Sequence, residues 1–376
     1  MSEDVLVTSE RRLAEIIARA RAVGAVALDT EFVWTRTYYP ILGLVQVGWS
    51  EDEAYLVDTV AIQDLYALGA LIADPSVVKI LHDAQQDLTI LKRATGGEPA
   101  NIFDTRLACG FCDGSAAWGL GRLLEETLSI ELAKTETRTD WVKRPLTDKQ
   151  IEYALDDIKH LPHLREKLIE QVDAHGNLAW LEEEMRKYDN PALYEEKDPG
   201  EQYHRVKGAG RLKPLQLGAL RSLAAWREIT ASEQDVPRNR VAPDELLLDI
   251  AQALPDSESS LRRVRTKYRK LIDRNARDLV QVLQESQDEE LELKQGSRMD
   301  AATRKNMDLH VKRIGEELKV LCAGLHLDPI MVATRADMKA FVQASGDHDH
   351  DLHSTSIMSG WRRDAVGEDL KLFLET

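Results

Sequence analysis

The sequence predicts an α/β domain followed by two small all-α domains. Strand-like apolar runs alternate with helical patterns early in the chain, and this alternation is typical of a sheet covered on its faces. After residue 206 we find helical periods and no convincing strand pattern. We therefore predict an α/β domain over residues 1–190, a linker over 191–206 that is rich in charge, Pro and Gly, and helical domains over 207–288 and 289–376.

The strands of the α/β domain fall into two groups. The runs "AVALDTEF", "GLVQVGW" and "EAYLVD" come first, and their short connections favour antiparallel pairing. The runs "VVKILHD" and "NIFDT" follow, with helical patterns before and between them. A longer helix is predicted from Thr147 through about Gln171. It begins with Thr147 and Gln150 at the spacing of a capping box.

Composition restricts the class of protein. The formal net charge of −16 at pH 7 argues against unspecific phosphate binding over the whole surface, although a local basic stripe remains compatible with nucleic acid. The first residues lack the pattern of a signal peptide, and no apolar run approaches the ~20 residues that cross a bilayer. We expect a cytoplasmic protein, monomeric and without membrane contact.

Three cysteines are too few for a disulfide framework. Cys109 and Cys112 form a C-x-x-C pair, but the sequence contains no second pair, and Cys322 is the remaining thiol. We interpret these cysteines as small buried apolar residues instead of zinc ligands or a redox couple.

Two carboxylates stand at the end of the first predicted strand. Asp29 and Glu31 are two residues apart, so their side chains project from the same face. Burying two like charges side by side is costly unless a cation neutralises them. A D-x-E pair alone is common by chance and is most often exposed to solvent.

Further acidic residues complete a set. Asp87 lies on a helix that follows a strand, and Tyr153 and Asp157 are four residues apart on one face of the long helix. Asp156 is rotated by about 100° from Asp157 and is expected to face outward. Carboxylate oxygens alone suit Mg²⁺ or Mn²⁺, and two such ions about 3.5–4 Å apart can promote phosphodiester cleavage.

These motifs resemble a known family. With "DTEF", "RTYYP", "LVQV", "HDAQQDL", "IFDT", "KTETRTDWVKRPL" and "YALDD", the chain resembles ribonuclease D of the DEDD exonuclease superfamily, in its tyrosine-bearing subgroup. The resemblance implies a ribonuclease H-like (DnaQ-like exonuclease) domain with a mixed sheet. The block beginning "LGALRSLAAW" resembles the helicase-and-RNase-D C-terminal (HRDC) domain, and the last block resembles its more divergent second copy.

The resemblance also implies roles for the acidic set. Asp29 would bridge two divalent ions, Mg²⁺ or Mn²⁺; Glu31 and Asp157 would hold the ion that carries the attacking water, and Asp87 would support the other. Tyr153 would orient the nucleophile. The implied reaction releases 5′-mononucleotides from RNA 3′ ends, such as those of transfer RNA precursors. A DNA-preferring exonuclease and a noncatalytic RNA-binding scaffold remain as alternatives.

Several residues are candidates for substrate contact. Phe32 and Trp34 could stack on bases, as could Tyr38, although Trp34 stands where the family pattern leads us to expect a polar or basic residue. His82 precedes the second motif, and a structural hydrogen bond is its simpler role. Basic candidates for phosphate contact are Lys134, Arg138 and Arg144 before the long helix, and Arg262, Arg265 and Arg269, which we expect at helical spacing in the first helical domain.

Overall fold

The fold was analysed in a computed structural model that describes residues 5–132, 139–286, 301–346 and 351–375. The chain divides into two compact units. The larger unit consists of residues 1–32, 42–194 and 300–376, and the smaller unit of residues 33–41 and 195–299. None of the described helices is both long and apolar enough to cross a membrane.

A mixed six-stranded sheet, counted over the described residues, organises the larger unit, in the order β1–β4–β3–β2–β5–β6. Strands β3 and β4 pair antiparallel, as their short connection predicts, whereas β2 pairs parallel with β5, and β5 with β6. The sequence analysis missed β1, which pairs parallel with β4. The strands are β1 (Leu6–Val7), β2 (Ala25–Val33), β3 (Ile41–Gly48), β4 (Ala54–Asp58), β5 (Val78–Leu81) and β6 (Ile102–Asp104).

Helices cover this sheet. The first, α1, was also missed; the Ser9 side chain caps its start, and Gly24 ends it in the left-handed conformation that glycine adopts without strain. The helices up to residue 185 are α1 (Glu10–Val23), α2 (Tyr66–Ile72), α3 (Gln85–Thr95), α4 (Thr105–Cys109), α5 (Leu120–Leu128), α6 (Asp148–Lys159), α7 (Leu161–Ala174) and α8 (Leu178–Met185).

The long helix predicted from Thr147 is two helices. Its start is confirmed, because the Thr147 and Gln150 side chains form the capping box at the beginning of α6. The helix ends at Lys159, and α7 begins at Leu161 with Pro162 in its first turn. Proline lacks an N–H, and its ring clashes with the carbonyl four residues earlier, so Pro162 starts a helix more readily than it continues one.

The C-terminal helices pack within the larger unit. They are α14 (Ala301–Gly324), α15 (Pro329–Val332), α16 (Arg335–Gly346), α17 (Gly360–Arg362) and α18 (Glu368–Glu375), numbered after the helices of residues 214–285, which lie in the smaller unit. The Trp361 indole donates to Glu184 over 2.9 Å, and the Asn177 amide donates to the Phe111 and Leu325 carbonyls. The contacts of Trp361 and Leu325 join residues that the four-part domain division would separate; that division stays a prediction.

All three cysteines are buried. Burial raises the pKa of Cys109, Cys112 and Cys322 to about 12, so the thiols keep their protons at neutral pH. The Sγ atoms of Cys109 and Cys112 contact backbone carbonyl oxygens at 3.6 Å. These positions agree with the interpretation that they are small apolar residues.

A second group of metal-binding residue types lies beside the C-terminal helices. The Nδ1 of His326 is 2.9 Å from both Asp113 carboxylate oxygens, and the Nε2 of His175 is 3.4 Å from one of them. The two imidazole rings are stacked, 3.9 Å apart with 18° between their planes. Nearly parallel rings cannot both direct an in-plane lone pair at one ion. We therefore interpret the group as a structural contact in which Asp113 connects His175 to His326, and not as a metal site.

In the described part of the smaller unit, five α-helices surround an apolar core of their own. They are α9 (Pro214–Glu233), α10 (Arg238–Val241), α11 (Asp244–Ala253), α12 (Glu258–Leu261) and α13 (Arg269–Glu285). The segment 33–41, which connects β2 to β3, belongs to this unit as well. Part of the predicted linker, Pro199–Arg205, is a 3₁₀ helix, and Val206 after it is buried in the core.

Candidate active site

Strand β2 presents the first two acidic residues. Val26, Ala27 and Leu28 are fully buried, so the strand is fixed in the interior of the sheet. Asp29 and Glu31 follow with half-buried side chains on one face, as the period of two residues predicts. The fold therefore holds two carboxylates at the end of a strand whose register is set by its apolar part.

Helix α6 brings a third carboxylate to the pair. One carboxylate oxygen each from Asp29, Glu31 and Asp157 lies within 4.8 Å of the others. One helical turn before Asp157, Tyr153 hydrogen-bonds to the Asp157 side chain. Asp156 is outside this group and forms an ion pair with Lys159 instead. The structure thus brings together four of the five residues that the motifs single out.

Asp87 lies near this group, but its carboxylate is not among those whose oxygens lie within 4.8 Å of one another. It lies in the first turn of α3 and accepts a hydrogen bond from the Thr30 hydroxyl. Its charge nevertheless acts on the other carboxylates, because it helps to raise the pKa of Asp29 and of Glu31. The fourth acidic residue is therefore an electrostatic neighbour of the three.

The four carboxyl groups resist ionising together. Burial, followed by the charges of neighbouring acids, raises the pKa of Glu31 to about 8 and holds that of Asp29 well above its usual range. Burial is also the largest cause of the raised pKa of Asp157, about 7, and of Asp87, about 6. Clustered acids of this kind favour divalent cations, and oxygen-only donors fit Mg²⁺ or Mn²⁺.

Residues outside the acidic set orient it. The Gln46 amide on β3 donates to Asp29 over 3.5 Å, and the buried Trp141 hydrogen-bonds to Glu31. Trp141 lies so close to Gly43 that a Cβ on Gly43 would stand 2.4 Å from the Trp141 carbonyl oxygen. Gln46 and Trp141 lie in the motifs "LVQV" and "KTETRTDWVKRPL", which by themselves predict no role for either residue.

Asp104 fixes the loop that leads into α3. Its carboxylate is buried and accepts from the backbone N–H groups of Asp83 and Ala84, each over 3.0 Å. The Tyr188 hydroxyl donates to the same carboxylate over 2.5 Å. This network positions the N-terminus of α3 and so the helix that carries Asp87. This role of Asp104 cannot be predicted from local sequence, since its partners are distant in the chain.

Comparison with known proteins identifies the family. Residues 5–173 match the family model described as 3′-5′ exonuclease, and residues 216–283 match that of the HRDC domain. Ribonuclease D of Desulfotalea psychrophila is 36% identical over 382 residues, an alignment that covers 100% of both chains. The chain belongs to the ribonuclease D family.

Further ribonuclease D comparisons agree. The enzyme of Escherichia coli is 38% identical over 261 residues, covering 68% of each chain. The crystal structure of Escherichia coli ribonuclease D, an exoribonuclease involved in structured RNA processing, has a TM-score of 0.83 at 30% identity and 98% coverage of both chains. These matches confirm the predicted fold class: an exonuclease domain with a mixed sheet followed by an HRDC domain. The resemblance of the last block to a second HRDC copy stays a prediction.

The residues predicted to contact substrate are dispersed. Phe32 is half-buried in the larger unit, and Trp34 is 52% exposed in the smaller one. The Nδ1 of His82 is 3.0 Å from the Thr105 hydroxyl, which is the structural hydrogen bond named as its simpler role. Lys134 and Arg138 lie outside the described residues. Contact of these residues with substrate stays a prediction.

The arginines of the helical unit do not form one helical stripe. Residues 262–268 form turns and bends between α12 and α13, so the expected helical spacing was wrong for this run. Arg262 pairs with Glu258 at 2.8 Å, while Arg265 and Arg269 are exposed. The local sequence there starts a new helix at Arg269 instead of extending the old one.

Arg144 is held in the fold of the exonuclease domain. Its Nε and Nη2 donate to the two Asp58 carboxylate oxygens over 2.7 Å each, and its other donors reach the carbonyls of Trp141, Lys143 and Gly43. The Asp58 side chain is 5% exposed. This bidentate pair connects the end of β4 to the segment that carries Trp141, and so supports the hydrogen bond to Glu31.

Replacing Arg144 with alanine is expected to destabilise the protein by about 3 kcal/mol, because Asp58 would remain buried as an unpaired charge. Thermal or urea unfolding checks the change. Arg11→Ala is the control, since that arginine forms only an exposed ion pair with Glu15. Equal unfolding midpoints for both variants would show that Arg144 has no structural role.

Proposed function

We propose that this protein is a 3′–5′ exoribonuclease that trims RNA 3′ ends one nucleotide at a time with the help of two divalent metal ions. The observation that supports the proposal most directly is the group of Asp29, Glu31 and Asp157, with Tyr153 hydrogen-bonded to it, in a ribonuclease D-family chain. Precursors of transfer RNA and other structured RNAs are the substrates we propose, and the cytoplasm is the proposed compartment.

The acidic residues would hold the ions, and their neighbours would fix the geometry. Asp29, Glu31, Asp87 and Asp157 are the residues that would hold the ions. When bound, such ions neutralise developing charge and lower the pKa of an attacking water. Gln46 and Trp141 keep the Asp29 and Glu31 carboxylates in their rotamers through the hydrogen bonds described above.

Tyr153 would position the nucleophile without acting as a base. Burial, followed by the charges of Asp157, Glu31 and Asp29, raises its pKa further above the usual value of about 10. The phenol therefore keeps its proton at neutral pH and can donate a hydrogen bond. A water held between this hydroxyl and the carboxylates would face the scissile phosphate.

Tyr153→Phe is expected to lower kcat by roughly 10²-fold, the usual cost of removing one oriented donor from an active site. The Mg²⁺ concentration at half-maximal activity should change little, because the carboxylates remain. Rates of mononucleotide release from a labelled RNA measure both quantities. Tyr66→Phe, which alters a tyrosine that is 77% exposed, is the control. Wild-type kcat in Tyr153→Phe would exclude the positioning role.

The reaction itself is tested by product analysis. Purified protein incubated with a 3′-extended transfer RNA precursor and Mg²⁺ should release 5′-mononucleotides, and excess EDTA should stop the release. Mn²⁺ in place of Mg²⁺ tests the choice of ion. Tight RNA binding with no mononucleotide under either ion would favour the noncatalytic scaffold instead.

A DNA-preferring exonuclease is the second candidate, because the same carboxylates can act on either backbone. Matched RNA and DNA oligonucleotides of one sequence, mixed in a single reaction, separate the two. Faster loss of the RNA is expected. Faster loss of the DNA would assign the site to deoxyribonucleotide substrates.

A further inference from the structure

The smaller unit contains a cavity that no catalytic residue lines. Its volume is about 340 Å³, which is within the usual range for small-ligand pockets. The segment 33–41 contributes Trp34 and Tyr38 to its lining, and residues 202–244 of the same unit form the rest of the wall. The remaining lining residues are Thr37, Gln202, Arg205, Arg227, Glu228, Pro237, Arg238, Asn239 and Asp244.

Hydrogen bonds hold the wall formed by segment 33–41 in place. The Tyr38 hydroxyl donates to Glu228 over 3.0 Å, and the Tyr38 backbone N–H donates to Asp235 over the same distance. The Arg238 guanidinium lies 5.3 Å from the centre of the Tyr38 ring. The Trp34 indole N–H donates to the Tyr38 carbonyl over 3.0 Å, which fixes the orientation of the indole. The cavity is therefore organised before any ligand arrives.

Two of the three arginines that line the cavity are paired with carboxylates, and the third, Arg205, could bind an anion. Glu228 pairs with Arg238 at 2.6 Å, and Asp244 pairs with Arg227 at 2.6 Å, so both carboxylates are neutralised. Arg205 is exposed, and its closest hydrogen bond among the described residues is to the neutral Gln202, over 3.4 Å. A positive charge on this wall is notable in a chain with net charge −16. It suits a phosphate group.

The cavity also offers an aromatic surface. Trp34 is 52% exposed although it lines the cavity, so its indole presents a flat area to a ligand. Bases stack on such rings with little dependence on sequence. Along the chain Trp34 is three residues after Glu31, and three peptide units span at most about 11 Å between Cα atoms. The aromatic surface is thus covalently tied to the strand that carries the catalytic carboxylates.

We propose that this cavity binds one nucleotide of single-stranded RNA, with the base on Trp34 and the phosphate on Arg205. The inference rests on the proposed exoribonuclease function, which it extends by naming a substrate-holding site in the smaller unit. Its role is to retain the strand near the 3′ end between successive cleavages. Base stacking on Trp34, which the sequence already suggests, is here combined with phosphate binding by Arg205 in the same cavity.

A binding titration with a short 5′-labelled oligoadenylate tests this site directly. Fluorescence anisotropy measures the binding, and EDTA prevents hydrolysis. Trp34→Ala is expected to raise Kd by about 5- to 100-fold, and Trp34→Phe by much less, because phenylalanine still stacks. Arg205→Ala should reduce the slope of log Kd against log salt concentration by about 1, the change for one lost phosphate contact.

Two exposed residues that do not line the cavity provide matched controls. Tyr66→Ala removes an exposed aromatic ring from the larger unit, and Lys207→Ala removes an exposed positive charge two residues after Arg205. Both should bind the oligoadenylate as the wild type does. If Trp34→Ala unfolds at lower temperature, the salt slope of Arg205→Ala still decides the question.

The outcomes separate this inference from the proposed function. Wild-type protein that releases no mononucleotides from RNA would refute the function, whatever the binding data give. Wild-type protein that releases them, together with Trp34→Ala and Arg205→Ala variants that bind as tightly as wild type and with the same salt slope, would overturn the cavity's role alone.

Discussion

Replacing Asp29 with asparagine is expected to lower the rate of mononucleotide release by at least about 10³-fold, the upper range for losing one preorganised electrostatic group. Asparagine has nearly the same shape as aspartate, so the β2 strand and its neighbours should be unchanged. The substitution removes a negative charge from the carboxylate whose oxygen lies within 4.8 Å of both Glu31 and Asp157. Binding of the divalent ions should weaken, and the reaction with it.

The unfolding temperature of this variant separates loss of chemistry from loss of fold. In EDTA the wild-type carboxylates repel one another, as the raised pKa values of Asp29 and Glu31 indicate. Removing one charge relieves that repulsion, so Asp29→Asn should unfold at a temperature equal to or above that of the wild type. If Asp29→Asn is inactive and also unfolds at a lower temperature than the wild type, misfolding would explain the loss of activity.

Asp156→Asn is the matched control for this prediction. Asp156 is adjacent in sequence to a proposed ligand, yet its carboxylate pairs with Lys159 and is outside the acidic group. The same chemical change should therefore leave mononucleotide release close to the wild-type rate. Comparable losses in Asp29→Asn and Asp156→Asn would mean that the reaction depends on overall charge and not on this group of ligands.

The acidic group could be predicted because its parts follow local periodicities. Asp29 and Glu31 share a face through the strand period of two, and Tyr153 and Asp157 meet through one helical turn. Each pair is defined within five residues of sequence, where backbone geometry leaves few options. The resemblance to a family then related the two pairs to each other, which periodicity alone does not do.

The residues that orient the group could not be predicted in the same way. Asp104 accepts from Ala84 and from Tyr188, and the second partner is 84 positions away in the chain. Trp141 hydrogen-bonds to Glu31, and the pair of Arg144 with Asp58 connects the segment of Trp141 to the end of β4. Contacts of this kind depend on how strands and helices pack. One sequence considered by itself carries no signal for them.

The predicted strands and helices differ from the observed ones where tertiary packing or a proline determines the boundary. The short strand β1 has two residues, too few for a periodicity, and gains its place by pairing with β4. The predicted long helix is interrupted because Pro162 cannot continue α6. The C-terminal helices contact the preceding part of the chain through the Trp361 indole, which donates to Glu184, and their assignment to a domain of their own stays a prediction.

Raising the pH from 5.5 to 9 in EDTA is expected to destabilise the metal-free protein more than its Asp29→Asn variant. The pKa values of Asp87, Asp157 and Glu31 are raised to about 6, 7 and 8, burial being the largest cause for each. These groups bind their protons more tightly in the folded protein than in the unfolded chain, where carboxyl pKa values are about 4. Protonation therefore favours the folded state.

The pH window follows from these values. The stabilisation is complete below about pH 4, where the unfolded carboxyl groups are protonated too, and it is lost as the pH rises through 6 to 8. Asp87, Asp157 and Glu31 titrate in Asp29→Asn as well, so the difference between the two proteins reports the Asp29 carboxyl, whose pKa burial holds well above its usual range. Each pKa unit corresponds to about 1.4 kcal/mol, so the wild-type unfolding temperature should fall by at least about 5 °C more than that of the variant across this range.

Divalent ions should reverse this loss. Carboxylates bind Mg²⁺ or Mn²⁺ in their deprotonated form, so added metal should raise the wild-type unfolding temperature more at pH 8 than at pH 6, and binding near pH 6.5 should release about one proton or more. Calorimetry in two buffers of different ionisation enthalpy counts these protons. Metal binding without proton release, or equal stabilisation of Asp29→Asn, would show that ions bind elsewhere, and the acidic group would then need another function.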